Sequence, residues 1–247
     1  VGLTFPARFF SGMGVLMPPA FQPFSNHHGY AVLVGAVITI LLIVVGRSGH
    51  RGRLVTTGIL AFINLSAYAM VQAAWLGYDD PGIENILPFQ LCDVAAVLAG
   101  FALLTRKRLL CELTYYWGLA ATLQGLLTPA LREGYPSWPF VVFFIQHFAV
   151  VAAALYLPLA DGWRPDRPWW RSPWRALLWA NAYLLFAMAV NAWLGSNFGF
   201  ASRKPINPSV LDHLGPWPWY LLSLQGLALI LFLLLTLPFV RRAKGAK

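Results

Sequence analysis

Charge is scarce in this chain. Only 11% of its 247 residues are charged, against roughly 25% in a soluble domain, while 58% are hydrophobic and the mean hydropathy is +0.61. That composition excludes an ordinary soluble globule, a disordered chain and a coiled coil. Acid is the scarcer sign, with 9 Asp and Glu against 18 Lys and Arg, for a formal net charge of +9. The bases sit in short loops between apolar runs, and no basic patch interleaved with aromatics lies outside them. Nucleic acid is therefore not the expected partner. Cysteine is limited to Cys92 and Cys111. They fall at opposite ends of a bilayer core about 30 Å thick, whereas a disulfide needs Cα atoms within about 7 Å, so both are expected to be free thiols. No His/Cys/Asp/Glu group has metal-ligand spacing. No Gly-rich phosphate loop or G-x-S-x-G elbow occurs, and the last apolar run has no lysine for a retinal Schiff base. Neither metal nor cofactor is expected. The first residues offer no basic stretch followed by a long apolar core, which argues against a secretory signal; their aromatics and prolines predict an interfacial segment over residues 1–27.

What the chain does have is apolar length. A bilayer-crossing helix needs roughly 17–25 residues, and seven runs approach or meet that: His28–Gly46, Leu54–Trp75, Phe89–Leu104, Leu109–Thr128, Pro139–Leu159, Trp174–Gly195 and Trp219–Val240. The third is short, with a possible earlier start in "IENILP". The expected fold is all-α, a polytopic membrane protein with seven transmembrane helices over residues 28–240 and a basic tail over 241–247. Arg47, Arg51, Arg53, Arg106, Lys107, Arg108, Arg164, Arg167, Arg171 and Arg175 fall in or beside alternate loops, and Arg241, Arg242, Lys244 and Lys247 in the tail. The other side has only Arg8, Arg132, Arg203 and Lys204. The positive-inside rule then predicts the N-terminus outside and the C-terminus cytoplasmic, as in a bacterial inner (plasma) membrane protein. Ser172 before Pro173 reads as a helix N-cap.

The polar residues inside these runs gather towards the outer end: His28, Gln72, Gln90, Cys92, Asp93, Gln124, Thr128, Gln146, His147, Asn191 and Gln225. The inner halves are expected to hold little besides Asn64, Asn181 and hydroxyls. Polar groups in a bilayer face the bundle interior or water, so a single outward-facing polar cavity is expected. Cys92 reads either as a small hydrophobe or as a nucleophile in the first turn of a helix, where the dipole favours an anion. His147 is the one histidine well inside an apolar run, suited to a helix–helix hydrogen bond or to a general base. Asp93, about 100° round the helix from Cys92, reads as pairing with an arginine or orienting a histidine.

The motifs "FSNHHG", "LPFQLCD", "LQGLLTPAL", "FFIQH" and "LGSNFGFASRKP…LGPWPWY", in that order from Phe24 to beyond Tyr220, resemble the YwaF-like membrane proteins of bacteria and the eukaryotic transmembrane protein 164 family. The resemblance implies a phospholipid acyltransferase with a cysteine–histidine pair, here Cys92 and His147. His28, Thr128 with Pro129, and Lys204 with Pro205 match further family positions. Phe198 stands where the family pattern suggests an aromatic hydroxyl, and His27 is an extra histidine.

The expected function is therefore acyl transfer on membrane lipid, with a phospholipid or lysophospholipid as substrate. Gln124, Thr128 or Asn191 would donate to the oxyanion, Gln90 and His28 would line the substrate site, and Arg203 and Lys204 would meet the head group. Water as acceptor would make the reaction an ester hydrolysis. The alternative is a transporter or receptor for a small amphiphile, with the same cavity as a non-catalytic binding site.

Overall fold

The computed structural model describes residues 19–76, 78 and 81–241, so residues 1–18 of the expected interfacial segment and 242–247 of the tail lie outside the described residues. Helices α1 (Asn26–Arg47), α2 (His50–Trp75), α3 (Ile83–Ile86), α4 (Leu91–Thr105), α5 (Arg108–Trp117), α6 (Leu123–Leu127), α7 (Trp138–Leu159), α8 (Arg171–Leu194) and α9 (Trp219–Arg241) make up the fold. An isolated bridge between Ala20 and Glu133 is the extended pairing among the described residues. Among the described residues six segments are long and apolar enough to cross a membrane: α1, α2, α3 with α4, α7, α8 and α9. The run predicted as the fourth span is helical from α5 to α6, about 30 Å at 1.5 Å per residue, but a π-helical turn at Gly118–Thr122 divides it.

Local chemistry explains the boundaries. Ser25 and Ser137 cap α1 and α7 by accepting from the His28 and Phe140 N–H groups, and Pro139 follows in the first turn of α7, where no N–H is required. Pro88 ends up in the turn before α4, which starts at Leu91. The expected cap at Ser172 is a correction: α8 begins a residue earlier, at Arg171, and Ser172 lies within it with its hydroxyl turned to Glu112.

α7 is the central helix. Most of its apolar window is buried, 72% against 11% for α1 and 17% for α8. α1, α2, α4 and α5 pack around it, while α8 and α9 pair with each other at the periphery and reach the bundle chiefly through α5. Without a hydrophobic drive between helices in lipid, close approach at small residues does the joining. A Cβ on Gly100 would sit 2.4 Å from Leu65 Cγ, and one on Gly118 2.8 Å from Ala154 Cβ. These contacts lock α4 to α2 and the π turn to α7.

Chain connections define two faces. The start of α1, the end of α6 and the loops after α6 and α8 are joined at the Cys92 face by His28 to Leu126 O, Phe21 N to Arg132 O, and Asn207 to the Pro129 and Leu131 carbonyls. The opposite, Cys111 face is joined by Arg106–Asp161 and Arg175–Glu112.

Candidate active site at the Cys92 face

Cys92 is the second residue of α4 and His147 the tenth of α7, so counting from helix starts leaves them at unequal depths. The structure resolves this: Gln146 Nε2 donates to Asp93 Oδ1 across 2.7 Å, both side chains buried. That bond sets the two helices in register one residue beyond Cys92 and one residue before His147. Asp93 therefore pairs with an amide, rather than with an arginine or a histidine.

His147 is 5% exposed. Its ring stacks on Phe143 at 3.8 Å, and Nδ1 lies 2.8 Å from the Phe143 carbonyl. A carbonyl only accepts, so Nδ1 carries the proton and the neutral ring keeps its lone pair on Nε2. The ring edge bearing Nε2 lies against Gly125, where an added Cβ would come within 2.9 Å of Nε2 and 2.8 Å of Cδ2. Glycine is what lets this imidazole close on α6. Cys92 is a half-buried residue and is free of any disulfide. Its sulfur has the Asp93 and Cys92 backbone N–H groups beside it and no side-chain partner among the described residues, so the thiol and imidazole are not bonded to one another.

The other expected site residues divide by how fully their polar atoms are engaged. Asn191 Oδ1 accepts from the Ser196 hydroxyl and the Phe198 N–H, and its Nδ2 donates to the Phe198 carbonyl. His28 accepts at Nδ1 from the Phe24 N–H and donates from Nε2 to the Leu126 carbonyl at 2.8 Å. Gln90 Oε1 accepts from the Gly199 N–H and leaves its amide donors unengaged. Thr128 donates to the Gln124 carbonyl within its own turn. The Gln124 side chain has no partner among the described residues and sits beside Gly125, where His147 packs. Arg203 pairs with Glu84 at 3.2 Å, whereas Lys204 has, among the described residues, the Asp212 carbonyl and the face of Tyr220.

Tyr183 was not singled out from sequence. Its hydroxyl donates to the Phe89 carbonyl at 2.9 Å and lies so close to Gly199 that a Cβ there would come within 2.8 Å. An aromatic hydroxyl thus lies one residue from Phe198, supplied by α8 rather than by the loop. The signal was available: a tyrosine amid the apolar residues of a helix needs a partner for its O–H.

The expectation of sparse polarity in the inner half needs correction. Glu112 is 0% exposed, yet it accepts from the Ser172 hydroxyl at 2.7 Å and takes a two-pronged contact from Arg175 at 2.6 and 2.5 Å. Arg175 also reaches Asp166, which pairs with Arg108. Beside this network a cleft of about 350 Å³ is lined by Arg106, Cys111, Asp161, Gly162 and Trp163, so Cys111 has polar company after all. The sequence signal was a lone glutamate in an apolar run, which must find a cation. Among the described residues no group of three or more His, Cys, Asp or Glu could hold a metal ion.

The sequence profile of the TMEM164 family matches residues 23–236. A relative from Treponema pallidum (strain Nichols), described as an uncharacterized protein, is 26% identical over 212 residues, covering 85% of this chain and 84% of its own length. No solved structure matches the chain.

Proposed function

This chain belongs to the TMEM164 family, and on that premise we propose that it is a phospholipid acyltransferase working through Cys92 and His147 in a bacterial plasma membrane. The observation that carries the reading is the Gln146–Asp93 bond. It holds the helices bearing a thiol and an imidazole at one level, with the imidazole in the tautomer whose Nε2 can take a proton. Catalytic hydrogen bonds are often unmade before substrate arrives, and the thiol meets Nε2 when lipid binds.

Nε2 takes the thiol proton and the thiolate attacks an acyl ester carbonyl. A C–S bond forms, the ester C–O bond breaks, and the departing lysolipid oxygen receives the proton from the imidazolium. In the second half a lysophospholipid hydroxyl gives its proton to Nε2 and attacks the thioester, releasing Cys92. The unengaged amide of Gln124 is the donor for the tetrahedral oxyanion, a role worth about 3–4 kcal/mol in known cases. Lys204, which has no carboxylate partner among the described residues, meets the phosphate; Arg203 is already paired with Glu84.

The purified protein in proteoliposomes, given phospholipid with a labelled acyl chain, should form a labelled adduct that Cys92→Ala abolishes and His147→Ala slows. Lys204→Ala should raise KM with kcat unchanged, as loss of uniform binding does. An adduct of equal size in Cys92→Ala would remove the mechanism.

The same reading makes α5 to α6 the seventh span and puts the N-terminus and the Cys92 face outside, on the strength of the basic residues at the Cys111 face. Cys111 is 1% exposed and cannot report on topology. Cysteines placed in exposed loops can: an impermeant thiol reagent on intact cells should label Ser202→Cys and not Ser48→Cys, and the reverse pattern would invert the topology.

A further inference from the structure

α8 packs on α5 and α9 but makes no extensive contact with α4. Between them lies a cleft of about 280 Å³, lined among others by Val94, Leu98, Leu109, Trp117, Trp179 and Tyr183. Of its three side-chain polar groups two are committed elsewhere, the Tyr183 hydroxyl donating to the Phe89 carbonyl and the Trp117 indole N–H to the Ala176 carbonyl, and the third is the indole N–H of the half-exposed Trp179. A polar ligand would leave its own hydrogen bonds unmade here, and an apolar cavity of this kind stays dry.

The cleft has a direction. Val94 is two residues past Cys92 but about 200° round the helix from it, so the wall that links the cleft to the thiol is Tyr183, whose hydroxyl is bonded to the Phe89 carbonyl within electrostatic reach of Cys92 and Asp93; Leu109 lies in the first turn of α5 at the Cys111 face. From Val94 to the end of α4 is about 16 Å at 1.5 Å per residue, close to the hydrocarbon depth of one leaflet, half of about 30 Å. The Tyr183 end is therefore the one near the candidate nucleophile, and the rest runs the length of an acyl tail.

We propose that the α4–α8 cleft seats an acyl chain of a membrane phospholipid, holding the chain so that its ester lies at the Cys92 end. This rests on the acyl-transfer reading for the ester's fate, and on the cleft alone for the chain's place. A chain passing from bilayer hydrocarbon into an apolar cleft gains no hydrophobic free energy. The cleft thus selects by shape and depth, and chain length is what it discriminates.

The test is photocrosslinking in proteoliposomes of phosphatidylcholine carrying a diazirine near the end of one acyl chain. Labelled peptides should be enriched at Leu98 and Trp179 over the lipid-facing side of α1 around Val37. Ala182→Trp, which fills the cleft from its α8 wall, should bring that labelling down to the α1 level, and Leu98→Trp, filling it from α4, should do the same if the first variant does not fold. Cys92→Ala should leave the enrichment intact. Enrichment with no acyl-Cys92 adduct would sink the enzyme reading and leave the chain site standing. Labelling no higher than at α1, labelling indifferent to both tryptophans, or crosslinks joining two protein chains through this face would each overturn the proposal.

Discussion

The two faces of the bundle use polar residues in opposite ways. At the Cys111 face Glu112, Arg175, Asp166, Arg108 and Ser172 form a closed network in which every charge has a partner. At the Cys92 face bonding is incomplete: the amide donors of Gln90 and the Gln124 side chain have no partner among the described residues, no side chain bonds the Cys92 thiol, and the proton on His147 Nδ1 leaves Nε2 as a lone pair. A saturated network fixes geometry, and an unsaturated cluster keeps capacity for a ligand. Stability should accordingly be concentrated at one face and reactivity at the other.

The comparison breaks most visibly at Glu112. Glu112→Ala takes the two-pronged contact from Arg175, which keeps Asp166, and leaves the buried Ser172 hydroxyl without its acceptor; removing one partner of a fully buried ion pair costs about 3–5 kcal/mol, and the partial exposure of Arg175 brings the expected cost below that. The thermal midpoint in detergent should fall sharply, and Glu112→Gln, which keeps an acceptor for Ser172, should fall less. A midpoint unmoved by Glu112→Ala would mean that the Cys111 face does not anchor the fold.

Gly125→Ala probes the other side. The added Cβ meets the His147 ring at 2.8–2.9 Å, and the ring, stacked on Phe143, must shift. Misplacing a catalytic group by about 1 Å can cost 10²-fold in rate, so acylation of Cys92 should slow by about that factor while the thermal midpoint changes far less than in Glu112→Ala. Equal losses of stability and rate would erase the distinction between the faces.

How much of this was legible beforehand follows from what each feature depends on. Hydropathy alone located the long helices, because length and apolarity in one segment decide bilayer compatibility. The π turn at Gly118–Thr122 left no such trace; it is set by packing against α7. Gathering the polar residues towards one end did not show which of them meet: Gln90 bonds the Gly199 N–H, Asn191 the Phe198 backbone, and Gln225 accepts from Asn181, which the sequence assigns to the inner half, because these bonds depend on register between non-adjacent segments. The same ignorance of register hid the Gln146–Asp93 bond, which joins α7 to α4 over 53 positions of sequence. Ser172 was misread because a serine before a proline carries a local cap signature, while its actual partner, Glu112, lies 60 positions away.

The smallest expected effect lies at the edge of the Cys92 face, in the one contact there whose titration can be followed. Tyr78, in the loop after α2, donates its hydroxyl to Glu133 Oε2 at 2.6 Å and packs edge-on to Trp75. Burial, then the bond to Glu133 and its negative charge, push the phenol from about 10 up to about 12. The sign follows from proton release. An unfolded chain gives up this proton near pH 10, whereas the folded chain holds it until about pH 12. The unfolded state therefore binds fewer protons between those values, and stability falls as pH rises. The contribution is complete below pH 10 and is lost through pH 12. Tyr78 is only partly buried, so solvent screening keeps the contribution below about 1 kcal/mol. Tyr78→Phe removes both the bond and the titration. The gap in thermal midpoint between wild type and Tyr78→Phe should be small and constant up to pH 10, then close by pH 12. A gap that stays constant across that interval would show that the phenol ionises alike in both states and that Glu133 does not hold it.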